Sequence, residues 1–207
     1  MNKKIFCVGL NKTGTSSLHK AFTILDIKSV HFMGAERKNI KDVIQSNYLA
    51  GDNILKGLEH YDAFSDWDLG STTIDIVKEF DKQYPNSKFI LNIRDLESWL
   101  HSREKHVKRN QERKRKKPEA DITWLTVDRD SWSTQFTNHY NEVKKYFKGR
   151  ENELLVFDVT KGDGWVKLCP FLELPIPATP FPKQNVAAHK TSLFWKILTK
   201  LKRILNN

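Results

Sequence analysis

The chain has 207 residues, 39% hydrophobic and 29% charged, with a formal net charge of +10. That balance excludes a disordered polypeptide and suits one globular domain with a sizeable core. Two distant cysteines, Cys7 and Cys169, exclude a disulfide-stapled fold, and no Cys/His spacing points to a zinc site. Met1 and Asn2 lead into "KKIFCVGL" without a signal-peptide pattern, and no window reaches the roughly 18 apolar residues of a membrane span. The expectation is a cytoplasmic protein, with any membrane contact peripheral. The basic charge is local: residues 103–117 hold nine Lys/Arg and two Glu, and 190–207 hold five Lys/Arg and no acid, which leaves the rest slightly acidic.

In chain order, "KIFCVG" (4–9) predicts a strand that carries Cys7 as a small buried thiol, followed by a helix over 15–26. "SVHF" (29–32), "DAFSD" (62–66), "KFILNI" (88–93) and "LLVFDV" (154–159) predict four more strands. Helical stretches over 36–50, 71–84, 95–110 and 129–147 separate them. The first, fourth and last strands are apolar on both faces, as central strands covered by helices are. Alternating β and α implies an α/β fold, a single P-loop-like domain over 1–188 with a central parallel sheet flanked by helices. Proline-rich "LPIPATPFP" (174–182) then ends the globular part. Over 189–207, Phe194, Ile197, Leu198, Leu201, Ile204 and Leu205 form one stripe, with Lys196, Lys200, Lys202 and Arg203 outside it. This basic amphipathic C-terminal helix could pack on its own domain, meet an anionic membrane surface, or form a dimer contact.

Residues 9–17, "GLNKTGTSS", stand where a phosphate-binding loop belongs, between the first strand and its helix. Such a turn aims backbone N–H groups and the positive end of the helix dipole at one point. Asn11, Thr13, Gly14, Thr15, Ser16 and Ser17 form the cradle; Lys12 leans over it. In an ATP-hydrolysing loop the lysine follows the second glycine and a strand-end acid holds Mg²⁺; here Thr15 takes the lysine's place and only Asp158 suits the acid, so no metal is expected. "KFILNIRDLESWLHS" adds Arg94 at a strand's carboxyl end and Ser102 two helical turns on, a second pair able to grip a phosphate.

"GLNKTGTSSL" together with "IRDLESWLHS" resembles the superfamily of sulfotransferases that use 3′-phosphoadenosine 5′-phosphosulfate (PAPS), whose first loop commonly reads P-K-S/T-G-T-T/S. The stretch "LLVFDVTKGDGWVKLCPFLELPIPATPFPKQN" is similar to one branch's ending, so the likeness spans about 5–185. The resemblance implies that residues 11–17 cradle the 5′-phosphosulfate and that Arg94 and Ser102 hold the 3′-phosphate. Lys12 would assist at the bridging oxygen, and 3′-phosphoadenosine 5′-phosphate (PAP) would leave. The acceptor hydroxyl (an amine is the less favoured nucleophile) must lose a proton. Asp66, where the cytosolic enzymes carry a histidine, is the first candidate base and His31 the rival; Asp68 ranks below as a capping acid, and His19 reads as packing. Ser17 replaces the Trp that stacks on adenine in the cytosolic enzymes, which leaves Trp67 or Trp99 for that task. Their late R-K-G segment is missing too, and Lys183 is its only substitute.

The 103–117 run reads either as a solvated helix or as a lid that draws in PAPS or an anionic small-molecule or glycan acceptor. Nucleic acid is not expected as a partner, since no recognition module accompanies the run. Two other classes stay open: a small-molecule kinase using ATP and Mg²⁺, and a non-catalytic nucleotide-binding protein at a membrane.

Overall fold

The computed structural model describes residues 3–35, 37–70 and 73–183. The expected C-terminal helix over 189–207 lies outside the described residues. Strands β1 (Ile5–Cys7), β2 (Ser29–His31), β3 (Ala63–Ser65), β4 (Lys88–Asn92) and β5 (Leu154–Phe157) form one sheet in the order β2-β3-β1-β4-β5, with every pair parallel. Helices α1 (Thr15–Ile24), α2 (Ile40–Ala50), α3 (Thr73–Gln83), α4 (Leu96–Lys116), α5 (Arg129–Tyr146) and α6 (Trp165–Leu172) connect and cover it. The α/β expectation is met.

Alternation along each strand divides the core into two layers. Phe6, Phe64, Phe89 and Leu91 point to one face, where α2, α3, α4 and α5 contribute Ile44, Phe80, Trp99 and Val143. Cys7, Ala63, Ile90 and Phe157 point to the other, against Leu18 and Phe22 of α1 and Leu168 of α6. Phe6 and Phe80 stack with centroids 4.0 Å apart at the centre of the first layer. Each such ring, taken fully out of water, contributes about 1.5–3 kcal/mol. Burial pushes the Cys7 thiol far above its ordinary range, so it acts as a small hydrophobe.

One expectation about the sheet needs correction. β5 is apolar throughout, yet it is an edge strand that pairs only with β4. Polar-flanked β3 is interior instead, and all three of its residues are buried. Apolarity reports whether helices cover a strand's two faces; it says nothing about neighbours in the hydrogen-bonding direction. Helix α4 also runs past its expected end at 110, to Lys116. Among the described residues no helix is long and apolar enough to cross a membrane.

Because β1 is flanked by β3 and β4, the segments leaving those three strands converge at one carboxyl-end crevice, with β2 beside β3. Loop 9–14, Asp66, Arg94 and His31 therefore meet there.

Candidate active site

The loop after β1 is held from below by Asn92, the last residue of β4. The Asn92 carboxamide accepts a hydrogen bond from Gly9 N (3.0 Å) and donates to Thr13 Oγ1 (2.5 Å). The Thr13 hydroxyl in turn donates to Leu10 O at 2.5 Å. Thr13 is thus fully buried and its hydroxyl serves the loop itself; Ser17, 1% exposed, also points inward. Two residues of α5 complete the floor. His139 Nε2 lies 2.7 Å from Val8 O, and the Tyr140 hydroxyl donates to Asn92 O at 3.1 Å. Sequence reasoning had no signal for either, since both act across more than forty residues.

Above this floor the backbone is bent into unusual conformations. Lys12 has φ 65° and Gly14 φ 99°, and a Cβ on Gly14 would sit 3.0 Å from Val159 Cγ2, so glycine is required there. Gly14 is the N-cap of α1 and supplies no capping side chain. An N-terminus of this kind suits an anion. Arg94, on the way from β4 to α4, donates from Nη1 to Lys12 O at 3.3 Å, while its buried Nε has no hydrogen-bond partner. A buried guanidinium N–H left unpaired beside an uncapped helix fits a site built for a phosphate. Ser102 lies half-buried on α4, two turns beyond Arg94. Asn11 spends its side chain differently, donating to Asp68 Oδ2 at 3.0 Å. Asp68 also accepts from Gly70 N (2.8 Å) and Thr73 Oγ1 (3.3 Å), which ties its carboxylate to the turn before α3.

Both candidate bases stand in the same cluster. Thr15 Oγ1 donates to Asp66 Oδ1 at 3.3 Å; His31 Nε2 is 3.2 Å from Thr15 Oγ1, 3.4 Å from Ser16 Oγ and 3.7 Å from Asp66 Oδ2. Asp66 has φ 63°, a left-handed conformation that Asp tolerates better than most residues. Burial lowers the His31 pKa and Lys12 lowers it further, against the pull of Asp66. His31 is then a neutral imidazole at about pH 7. His19 packs beside it, with rings 5.5 Å apart and Nδ1 2.9 Å from Ser29 Oγ.

The Lys12 ammonium is held below its ordinary pKa, first by burial and then by the Arg109 and Arg103 charges; only Asp66 opposes them. Arg103 belongs to the run that reads as a solvated helix or a lid, yet it is only 7% exposed. Its guanidinium lies 4.7, 4.6 and 4.6 Å from the ring centroids of Trp99, Trp124 and Trp132. Burial pushes its pKa down to about 10. This cage pins the 117–128 segment to α4, helped by Asn110 Nδ2 donating to Thr123 O at 2.8 Å. The spacing of Trp99 and Arg103, one turn apart, was visible in the sequence; the other two walls were not.

Neither tryptophan proposed for adenine can serve. Trp67 and Trp99 are 1% and 0% exposed, built into the first core layer, and the Trp99 Nε1–H donates to Asn11 O at 2.8 Å. Lys183 is exposed at the end of the described chain. Asp158 is a cap: its Oδ1 accepts from Thr160 N (2.9 Å), Thr160 Oγ1 (2.6 Å) and Lys161 N (3.2 Å). Among the described residues no group of three His, Cys, Asp or Glu is placed to hold a metal.

A parallel sheet whose first loop opens into an uncapped helix, with an arginine from the adjacent strand and a carboxylate–imidazole pair alongside, is an arrangement that suits an anion. Residues 4–127 and 121–190 match the sulfotransferase domain family, and the chain belongs to it. The chain is also similar to Ava biosynthesis cluster protein M of Aspergillus versicolor, at 25% identity over 233 residues, covering 93% of this chain and 86% of that protein.

Proposed function

We propose that this protein transfers the sulfuryl group of PAPS to a hydroxyl acceptor, releasing PAP. The observation that carries the proposal is the convergence of Lys12, Thr15, Asp66 and His31 at the mouth of the loop, next to the unpaired Arg94 Nε. Family membership supports the reaction type.

In this reaction the acceptor oxygen forms a bond to sulfur while the bond from sulfur to the bridging phosphate oxygen breaks. Negative charge grows on that bridging oxygen, and the acceptor proton must go to a base. The first-turn amides of α1 and the Thr15 and Ser16 hydroxyls would hold the 5′-phosphosulfate; Arg94 and Ser102 would take the 3′-phosphate. Lys12 supplies the positive charge that meets the leaving oxygen. Its half-buried position in a crevice makes that charge worth more than it would be in open water. Asp66 takes the proton. His31, neutral and 3.7 Å from it, receives the proton from Asp66 or shares it, so the two candidate bases work as one pair. An amine acceptor would require prior deprotonation and is disfavoured.

A kinase reading finds less support. Its Mg²⁺ would need a strand-end carboxylate; three hydrogen bonds commit Asp158 Oδ1 to its own turn, which leaves only the buried Oδ2 without a partner.

The test is transfer of label from [³⁵S]PAPS to a panel of simple alcohols and phenols in the presence of a divalent-ion chelator. Labelled organic sulfate should form with the wild type and fail to form with Lys12→Met and Asp66→Asn. A protein that binds PAP but transfers to no member of the panel would favour the non-catalytic reading.

A further inference from the structure

The face of α4 beyond Ser102 carries a charge arrangement that the donor site does not use. Ser102, His106, Arg109 and Arg113 recur at i, i+4, i+7 and i+11, which places them in one stripe along the helix. Trp99, Arg103, Val107 and Asn110 form the adjoining buried stripe. The arginine cage and the bonds from Asn110 to Thr123 O and from Gln111 to Leu125 O (2.8 and 2.7 Å) fix that face in place.

The stripe runs outward from the site, because α4 begins against the loop, where the Trp99 Nε1–H donates to Asn11 O at 2.8 Å. Lys12 feels the Arg109 charge, and His106 feels Lys12, Arg109, Arg113 and Arg103 together, with no acid opposing them. The His106 imidazole, edge-on to Trp124 with centroids 5.2 Å apart, is pushed down to about 4 by burial first and by those cations next. Elsewhere the local cations are answered: Asp66 faces Lys12 and Asp68 faces Arg103. Arg109 and Arg113 have no ion pair among the described residues; the Arg109 Nε donates to Lys105 O at 3.3 Å. Residues 184–207 contain no Asp or Glu. Like charges gathered along one helix face are unfavourable on their own and become favourable when an anion arrives.

Resting on the sulfuryl-transfer reading, we propose that the acceptor is a small hydroxyl compound bearing a carboxylate, phosphate or sulfate. That anionic group docks on the His106–Arg109–Arg113 stripe of α4 while the hydroxyl reaches Asp66 and Lys12. The stripe lies beyond the donor's own partners: Arg109 is about 10 Å, and Arg113 about 16 Å, further along the helix than Ser102. Neutral His106 offers the anion a hydrogen bond, and the two arginines offer paired N–H groups.

The experiment uses three matched phenols: 4-hydroxyphenylacetate (anionic), tyrosol (neutral) and tyramine (cationic). Each is titrated calorimetrically into the PAP-saturated full chain. The acid should bind at least about tenfold more tightly than tyrosol, with tyramine weakest, the size expected of charge-assisted contacts. The double variant Arg109→Gln, Arg113→Gln should lose this order while PAP affinity stays within about twofold. Equal binding of acid and alcohol, or no binding of the acid up to about 5 mM, overturns the proposal. An equal fall in PAP affinity in the double variant overturns it too, by assigning the stripe to the donor. Failure of the wild type to bind PAP would instead strike the sulfuryl-transfer reading. The same order of preference is then required of the free protein.

Discussion

Replacing Gly9 with alanine should remove a large part of the domain's stability. A Cβ at that position would meet Asn92 O at 1.9 Å and the Asn92 Cγ and Nδ2 at 2.6 and 2.7 Å. Neither group yields easily. The carbonyl belongs to β4, whose register with β1 is fixed through Cys7↔Ile90. The carboxamide is the clamp between Gly9 N and the Thr13 hydroxyl. Overpacking a tight site costs about 1–3 kcal/mol. Displacing Asn92 would also strand the buried Gly9 N–H, at about 1–3 kcal/mol for such a group. Together these give roughly 2–6 kcal/mol, against the 5–15 kcal/mol of a typical domain. Urea unfolding followed by tryptophan fluorescence should show a midpoint lower by about 0.7–2 M, taking a slope of about 3 kcal/mol/M, the top of the usual range. Asn92→Ala, which loses the bonds but adds no atoms, should fall between Gly9→Ala and wild type. A shift below about 0.3 M for Gly9→Ala would refute the close approach of loop and strand on which the site is built.

Asp66→Asn should lower kcat by about 10²–10⁴ and leave PAP affinity unchanged, with a smaller loss for His31→Gln; equal turnover in both variants and wild type would remove the pair from the chemistry. Arg103→Met should cost only about 1–2 kcal/mol in urea unfolding, because lost ring contacts are offset by relief of a burial that already lowers the guanidinium pKa. Acid should destabilise the protein. His31 and His106 are depressed in the folded state, so the unfolded chain binds more protons as pH falls below about 6.5, and stability declines until the folded groups protonate in turn. For His106 that window runs from about 6.5 down to about 4. His106 is largely solvent-screened, so its share is on the order of 1 kcal/mol. Urea midpoints measured across this range should fall less steeply in His106→Gln; an unchanged slope would contradict the assignment.

Local pattern revealed most of the architecture. Five short apolar runs alternating with helical stretches were enough for a parallel sheet, and two glycines around Lys12 placed the candidate anion loop at its carboxyl edge. The position of β5 was misread because helices cover both its faces, which makes an edge strand as apolar as a central one. Arg94 was legible as a strand-end arginine, and the structure sets it against Lys12 O because β4 pairs with β1. What the sequence did not reveal depends on distant contacts. Thr13 looked like a ligand donor until Asn92, 79 residues away, claimed its hydroxyl. The sequence offered a solvated helix or a lid for the run holding Arg103, not the cage that Trp124 and Trp132 close over it, and Asp66 and His31 looked like rivals until adjacent strands brought them together.

The most direct test of the account is thermal stabilisation by PAP, with chelator and no metal, compared with ATP plus Mg²⁺, on wild type and Arg94→Ala. A ligand bound only by the folded state adds about 2.7 kcal/mol of apparent stability at a hundredfold excess over Kd. The account predicts a clear upward shift in Tm with PAP in the wild type, greatly reduced in Arg94→Ala, and none that requires the metal. A shift seen only with ATP and Mg²⁺ would contradict it and make the kinase reading correct.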